Sequence, residues 1–182
     1  MRKIFLIGIL FFFIAYTGFS QTTGSDIYDQ RIPLQLKDSS ISLEKFRGKT
    51  ILFVNVSAKD SLNQFVELQR LYERCKTGGL VMILFPSNSF GHEPGGETVT
   101  RSSYGTMMDS SFIITSPVEV AGPGIHSLFK WLSAKQLNGV MNGQVKNDWS
   151  KFLVNKKGKL VGYFSDEVAP MSEVLLKAIG DN

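Results

Sequence analysis

Sulfur and imidazole, which carry much of the covalent and redox chemistry of proteins, are scarce here: one cysteine, Cys75, and two histidines, His92 and His126. A single thiol cannot close an internal disulfide. Leu68, Leu71, Tyr72 and Cys75 recur at helical spacing, so the thiol is expected on the apolar face of a helix, as a buried inert group. The two histidines stand in different segments and do not form a metal-ligand pair by spacing, and His92 is expected exposed in a loop. Pro94-Gly95-Gly96 lacks the Lys-Ser or Lys-Thr that a phosphate-binding loop requires. Asp60 stands out by position. It follows Ile51-Leu52-Phe53-Val54-Asn55-Val56, an apolar run that reads as a strand covered on both faces. The polar turn Ser57-Ala58-Lys59-Asp60-Ser61 then opens a helix, and in an open α/β sheet such a turn is where a site is expected.

The elements that must position this turn can be read in order. Pro33-Leu34-Gln35-Leu36 and Ser40-Ile41-Ser42-Leu43 flank Lys37-Asp38-Ser39 as a short antiparallel hairpin. Leu43-Glu44-Lys45-Phe46 forms a turn that Gly48 ends, and the central strand 50–56 follows. A helix starts near Asp60 or Ser61, either of which suits the N-cap, and Ser61 with Gln64 has capping-box spacing. It runs through Cys75 to Gly78-Gly79. Leu80-Val81-Met82-Ile83-Leu84-Phe85 is a second apolar strand, which makes a parallel crossover. Pro86 stops it, and 87–96 is a loop. A weak helix at 97–104, extended pieces at 111–114 and 118–120, a helix at 125–132 and a polar connection at 133–148 come next. Lys151-Phe152-Leu153-Val154 and Lys159-Leu160-Val161-Gly162-Tyr163-Phe164 form a hairpin around Asn155-Lys156-Lys157-Gly158, and a helix at 171–179 closes the chain. This order predicts an α/β fold, a mixed sheet flanked by helices on both faces.

The N-terminus has Arg2 and Lys3, an apolar run from Ile4 to Tyr16, and small residues up to Ser20, the pattern of a signal peptide over 1–20. Export to the periplasm or beyond the cell is the expectation, with 21–182 as one domain. A retained anchor is the competing reading, and the run is shorter than a bilayer span. No cysteine follows the cut to carry a lipid, and no stable membrane insertion is expected after cleavage. The formal charge of +4 falls to +2 without Arg2 and Lys3. The remaining charges are interspersed, which argues against a nucleic-acid partner. Protein partners are not specified by any motif.

Several of these stretches resemble the glutathione peroxidase family, whose fold is thioredoxin-like. Asn55-Val56-Ser57-Ala58-Lys59-Asp60-Ser61 is similar to its Asn-Val-Ala-Ser-Lys-Cys-Gly. Phe85-Pro86-Ser87-Asn88-Ser89-Phe90-Gly91, followed by Glu93-Pro94-Gly95, is similar to its Phe-Pro-Cys-Asn-Gln-Phe-Gly segment. Gly122-Pro123 with His126, Leu128 and Lys130 matches a third segment, and Lys151-Phe152-Leu153-Val154 with Gly158-Lys159 follows its Trp-Asn-Phe motif. The match runs along nearly the whole chain after residue 20.

The resemblance implies peroxide reduction by a cysteine or selenocysteine, with glutamine, tryptophan and asparagine stabilising the anionic nucleophile. It places those four positions at Asp60, Ser89, Asn147 and Asp148, all substituted. A thiolate reduces peroxide by becoming a sulfenic acid that a second thiol returns, and a carboxylate has no comparable two-electron cycle. The second thiol of thioredoxin-dependent members, expected near Arg101 to Tyr104, is missing too. The expectation is a family member without its redox centre, an exported binding or structural protein with no cofactor. The alternative is an active thiol-dependent hydroperoxide reductase of the oxidative-stress response, with glutathione or thioredoxin as reductant. Asp60 could remain simply as a helix cap. Family geometry would also bring Asp60 and Asp148 together, able to recruit a cation with Ser89 as a third oxygen unless Lys59 neutralises them. The short connection from Leu132 to Asn147 resembles the monomeric members.

Overall fold

The computed structural model describes residues 25–34, 39–57, 62–91 and 112–181. Expectations about the signal segment, Lys59, Asp60 and Ser61, His92, Pro94-Gly95-Gly96, and the helix at 97–104 lie outside the described residues.

The organising strand is β3, Thr50–Val56, buried at every position. Successive side chains of a strand point to opposite faces, so an unbroken apolar run supplies two cores at once. Ile51 and Phe53 join Ile83, Phe85, Leu128, Phe129, Trp131 and Phe152 in one cluster. Leu52, Val54 and Val56 join Phe65, Leu68, Leu71, Leu84, Leu175 and Ile179 in the other. Each fully buried side chain of this size contributes roughly 1.5–3 kcal/mol relative to exposure. The second cluster is covered by α1, Leu62–Cys75, and by the last helix, and the first by the helix that begins at Ser127.

β4, Leu80–Pro86, pairs parallel with β3 from Thr50–Leu80 to Val56–Pro86. The link between them is α1, a 3-10 turn over Lys76–Gly78, and Gly79 in the left-handed conformation. β5, Ile113–Ile114, adds parallel to β4. On the other side β6, Lys151–Val154, and β7, Leu160–Phe164, add antiparallel, which gives the order β5-β4-β3-β6-β7. The predicted mixed sheet with helices on both faces is therefore the observed one.

At the N-terminal side, β1, Arg31–Pro33, and β2, Ser40–Ser42, form the expected antiparallel hairpin, which begins two residues earlier than its apolar pattern suggested. The 118–120 piece pairs with no strand and is held by Val118 N–H on the Pro86 carbonyl, His126 N–H on the Glu119 carbonyl and Val120 N–H on the Ser89 hydroxyl. α2 covers Ser127–Ser133, with His126 as N-cap through an Nδ1 that accepts the Leu128 N–H. The polar connection contains a further short helix, α3, Lys135–Asn138. Four residues are too few to show a hydrophobic period. What orders them is the buried Asn138 amide, which donates to the carbonyls of Trp131, Leu132 and Met141. α4, Glu173–Gly180, closes the fold.

Candidate functional site

Asn55 is the one side-chain amide in a strand that is apolar from Ile51 to Val54, and it is completely buried. Its backbone N–H donates to the Ser150 carbonyl, and its own carbonyl accepts from Trp149 N–H at 2.8 Å. Its side-chain Nδ2 donates to the Asn147 carbonyl at 3.3 Å and to Asp148 Oδ1 at 3.5 Å. One residue at the C-terminal end of β3 thus fastens the turn 147–150 in four places. Asn55 Oδ1 is buried with no hydrogen-bond partner among the described residues.

The turn itself is strained. Trp149 has φ of +68°, the only non-glycine residue with positive φ among those described. A bulky side chain there is an outlier, and such conformations cost on the order of 1–3 kcal/mol. Three contacts hold it: its N–H on Asn55, its carbonyl on Lys151 Nζ at 2.7 Å, and its indole edge-on to Phe65 with centroids 5.0 Å apart. Lys151 is itself completely buried and spans to the Val168 carbonyl, also at 2.7 Å. Burial pushes its ammonium down to about 8, against the opposing pull of Asp166 and Glu67.

Of the four positions the resemblance singled out, three are described. Asp148 is buried at 6% exposure and accepts from Asn55. Ser89 lies in the loop after β4, at the same end of the parallel pair. Ser87 N–H donates to the Val56 carbonyl, Ser87 Oγ donates to Ser89 Oγ, and Val120 N–H donates to that same Ser89 oxygen at 3.0 Å. The Ser89 hydroxyl thus accepts twice and secures the 118–120 segment. Asn147 is exposed and donates to Asp166 Oδ2 at 3.1 Å, on the turn after β7, beside an open cleft of about 520 Å³. Asp60 lies outside the described residues, so its separation from Asp148 is not part of this geometry.

The described groups at this end are a carboxylate, hydroxyls and amides, with no sulfur among them. Cys75 ends α1, thirteen residues beyond its start at Leu62, or roughly 20 Å at ~1.5 Å per residue. It packs half-buried against the second cluster, and burial pushes its thiol up, with Arg74 opposing in part. The thiol takes the expected place on the apolar side of its helix but is half-buried rather than buried. No group of three or more His, Cys, Asp or Glu suited to a metal occurs among the described residues. Sequence reasoning missed Asn55 and Lys151 as positioning residues. Their signal was a lone amide inside an apolar strand, and a lysine opening an apolar one.

Comparison with known proteins gives one consistent picture. The family model described as glutathione peroxidase matches residues 27–133. The chain is 34% identical over 148 residues to the probable glutathione peroxidase 2 of Arabidopsis thaliana, covering 80% of this chain and 86% of that one. It is 35% identical over 133 residues to the chloroplastic phospholipid hydroperoxide glutathione peroxidase 1 of the same plant, covering 71% of this chain and just over half, 56%, of that relative. Among solved structures, the apo form of Trgpx superposes with a TM-score of 0.66 at 24% identity, over 86% of this chain and 96% of that one.

Proposed function

The chain belongs to the glutathione peroxidase family and has its thioredoxin-like fold, and from that premise we propose that it has lost the family's redox centre and acts as an exported binding or structural protein. The observation that carries this reading is the placement of sulfur. The only cysteine in the sequence, Cys75, stands at the far end of α1 from the strand-end turn, with its thiol raised by burial. At the aligned nucleophile position the sequence has Asp60. A carboxylate cannot accept an oxygen atom from a peroxide and be returned by a thiol.

The neighbouring groups support the same reading. Stabilising an anionic nucleophile needs donors aimed at it, and removing one such donor typically costs a few kcal/mol of barrier. Ser89 is engaged with Val120, Asn147 is turned to Asp166, and Asp148 presents an acceptor. Export rests on the N-terminal pattern over 1–20. The alternative, a thiol-dependent hydroperoxide reductase, is favoured by the names of its relatives, which are called peroxidases.

A coupled assay with hydrogen peroxide or a lipid hydroperoxide, and glutathione or thioredoxin as reductant, separates the two. The expected result is no rate above buffer for the wild type, and a measurable rate once Asp60→Cys, Ser89→Gln, Asn147→Trp and Asp148→Asn are combined. Ordinary turnover by the wild type would overturn the proposal. Mass determination of the protein recovered from a host envelope checks export, with a mature chain starting at Gln21 as the expected outcome.

A further inference from the structure

At the opposite end of the sheet lies a cavity of about 400 Å³. It is bounded by the first residues of the two central strands, Thr50 and Leu80, by Arg74 and Cys75 at the end of α1, by Lys156 of the β6–β7 turn, and by Ile179 of α4. Its inner wall is apolar, formed by Leu80, Ile179 and the half-buried Cys75 of one packed cluster. Its rim carries two exposed cations. Neither the Arg74 guanidinium nor the Lys156 ammonium belongs to an ion pair among the described residues, where the pairs involve only Arg47 and Lys76.

Both α1 and α4 end at this cavity, and helix C-termini carry partial negative charge that would repel an anion. Arg74, in the last turn of α1, answers that charge. Lys156 comes from a hairpin turn and has no helix end of its own to complement. The rim therefore holds more positive charge than the helix ends require, above a wall that would shed water from an apolar group.

We propose that this cavity binds a small organic anion, an anionic head on a short apolar group, with the head between Arg74 and Lys156 and the apolar part against Leu80 and Ile179. Its volume is within the range of small-molecule sites. The proposal does not depend on the state of the strand-end turn at the other end of the sheet.

Cys75 is the only thiol of the chain, so its alkylation in the folded protein reads the cavity directly. Iodoacetate, an anion, and iodoacetamide, its neutral counterpart, are compared on the wild type and on N-acetylcysteine. The expected iodoacetate-to-iodoacetamide rate ratio exceeds that of the free thiol by about threefold or more, as two nearby charges would produce. The excess disappears in Arg74→Gln/Lys156→Gln. Hexanoate is expected to slow both reagents and to raise the melting temperature of the wild type but not of the double variant, while hexanol does neither. A rate ratio equal to that of the free thiol, or a melting temperature indifferent to hexanoate, would overturn the proposal. Inorganic phosphate protecting as well as hexanoate would overturn the apolar half of it.

Discussion

Lys151 shows how one side chain can hold two loops at an electrostatic cost. Its ammonium is buried between the carbonyls of Trp149 and Val168, which ties the strained turn at 147–150 to the segment before α4. Burial lowers its proton affinity from the ordinary 10.5 to about 8. In the unfolded chain the lysine stays protonated until pH approaches its ordinary value. Between about pH 8 and 10.5 the unfolded state therefore binds more protons than the folded one, and folding stability rises with pH. Below pH 8 the cost of burying the charge is fully present. Urea denaturation of the wild type and of Lys151→Met at pH 8 and pH 10 should show the wild type gaining roughly 2 kcal/mol on the variant across that interval. Parallel pH dependence of the two proteins would show that this ammonium is not desolvated.

At the scale of elements, the β6–β7 hairpin carries the turn 147–150 at one end and a corner of the proposed anion cavity at the other. Its register depends on Asn155, whose side chain accepts the backbone N–H groups of Lys157 and Lys159, and on Gly158. Gly158 has φ of +74°, and a Cβ there would lie 2.6 Å from the Tyr28 ring. Tyr28 is in turn covered by the Arg47 guanidinium, 4.1 Å from its ring centre. Gly158→Ala therefore combines backbone strain with a clash against a buried ring, and should destabilise by more than about 2 kcal/mol in chemical denaturation. Gly48→Ala is the control: it also has positive φ, but nothing stands within 4 Å of its Cβ position, so its cost should be the strain alone. The glycine and the Asn-Lys-Lys-Gly turn were legible in the sequence. The tyrosine that forbids a methyl group there comes from residue 28, and no local pattern announces it.

For the molecule as a whole, stability rests on two apolar clusters on the two faces of one sheet, and the single thiol adds no covalent link. The melting temperature should accordingly be the same with and without dithiothreitol, and a non-reducing gel should show no covalent dimer. A reductant-dependent fall would place Cys75 in an intermolecular disulfide. The same two-faced construction explains why so much of the fold could be read in advance. β3, α1, β4, β6 and β7 each carry a period or an unbroken apolar run long enough to specify them, and their order then leaves few topologies. The short helix at Lys135–Asn138 was missed because its order comes from the buried side-chain hydrogen bonds of Asn138, which have no period.

The sequence by itself determined the family resemblance, the α/β order and which positions that resemblance singles out, because these depend on residue types and on spacing along the chain. Only the tertiary structure decided what the described residues at those positions bond. Ser89, Asn147 and Asp148 bond Val120, Asp166 and Asn55, partners 31, 19 and 93 residues away. Hydrogen-bond partners so distant are set by how the strands register and the loops return, and by the left-handed turn at Trp149 that aims the segment.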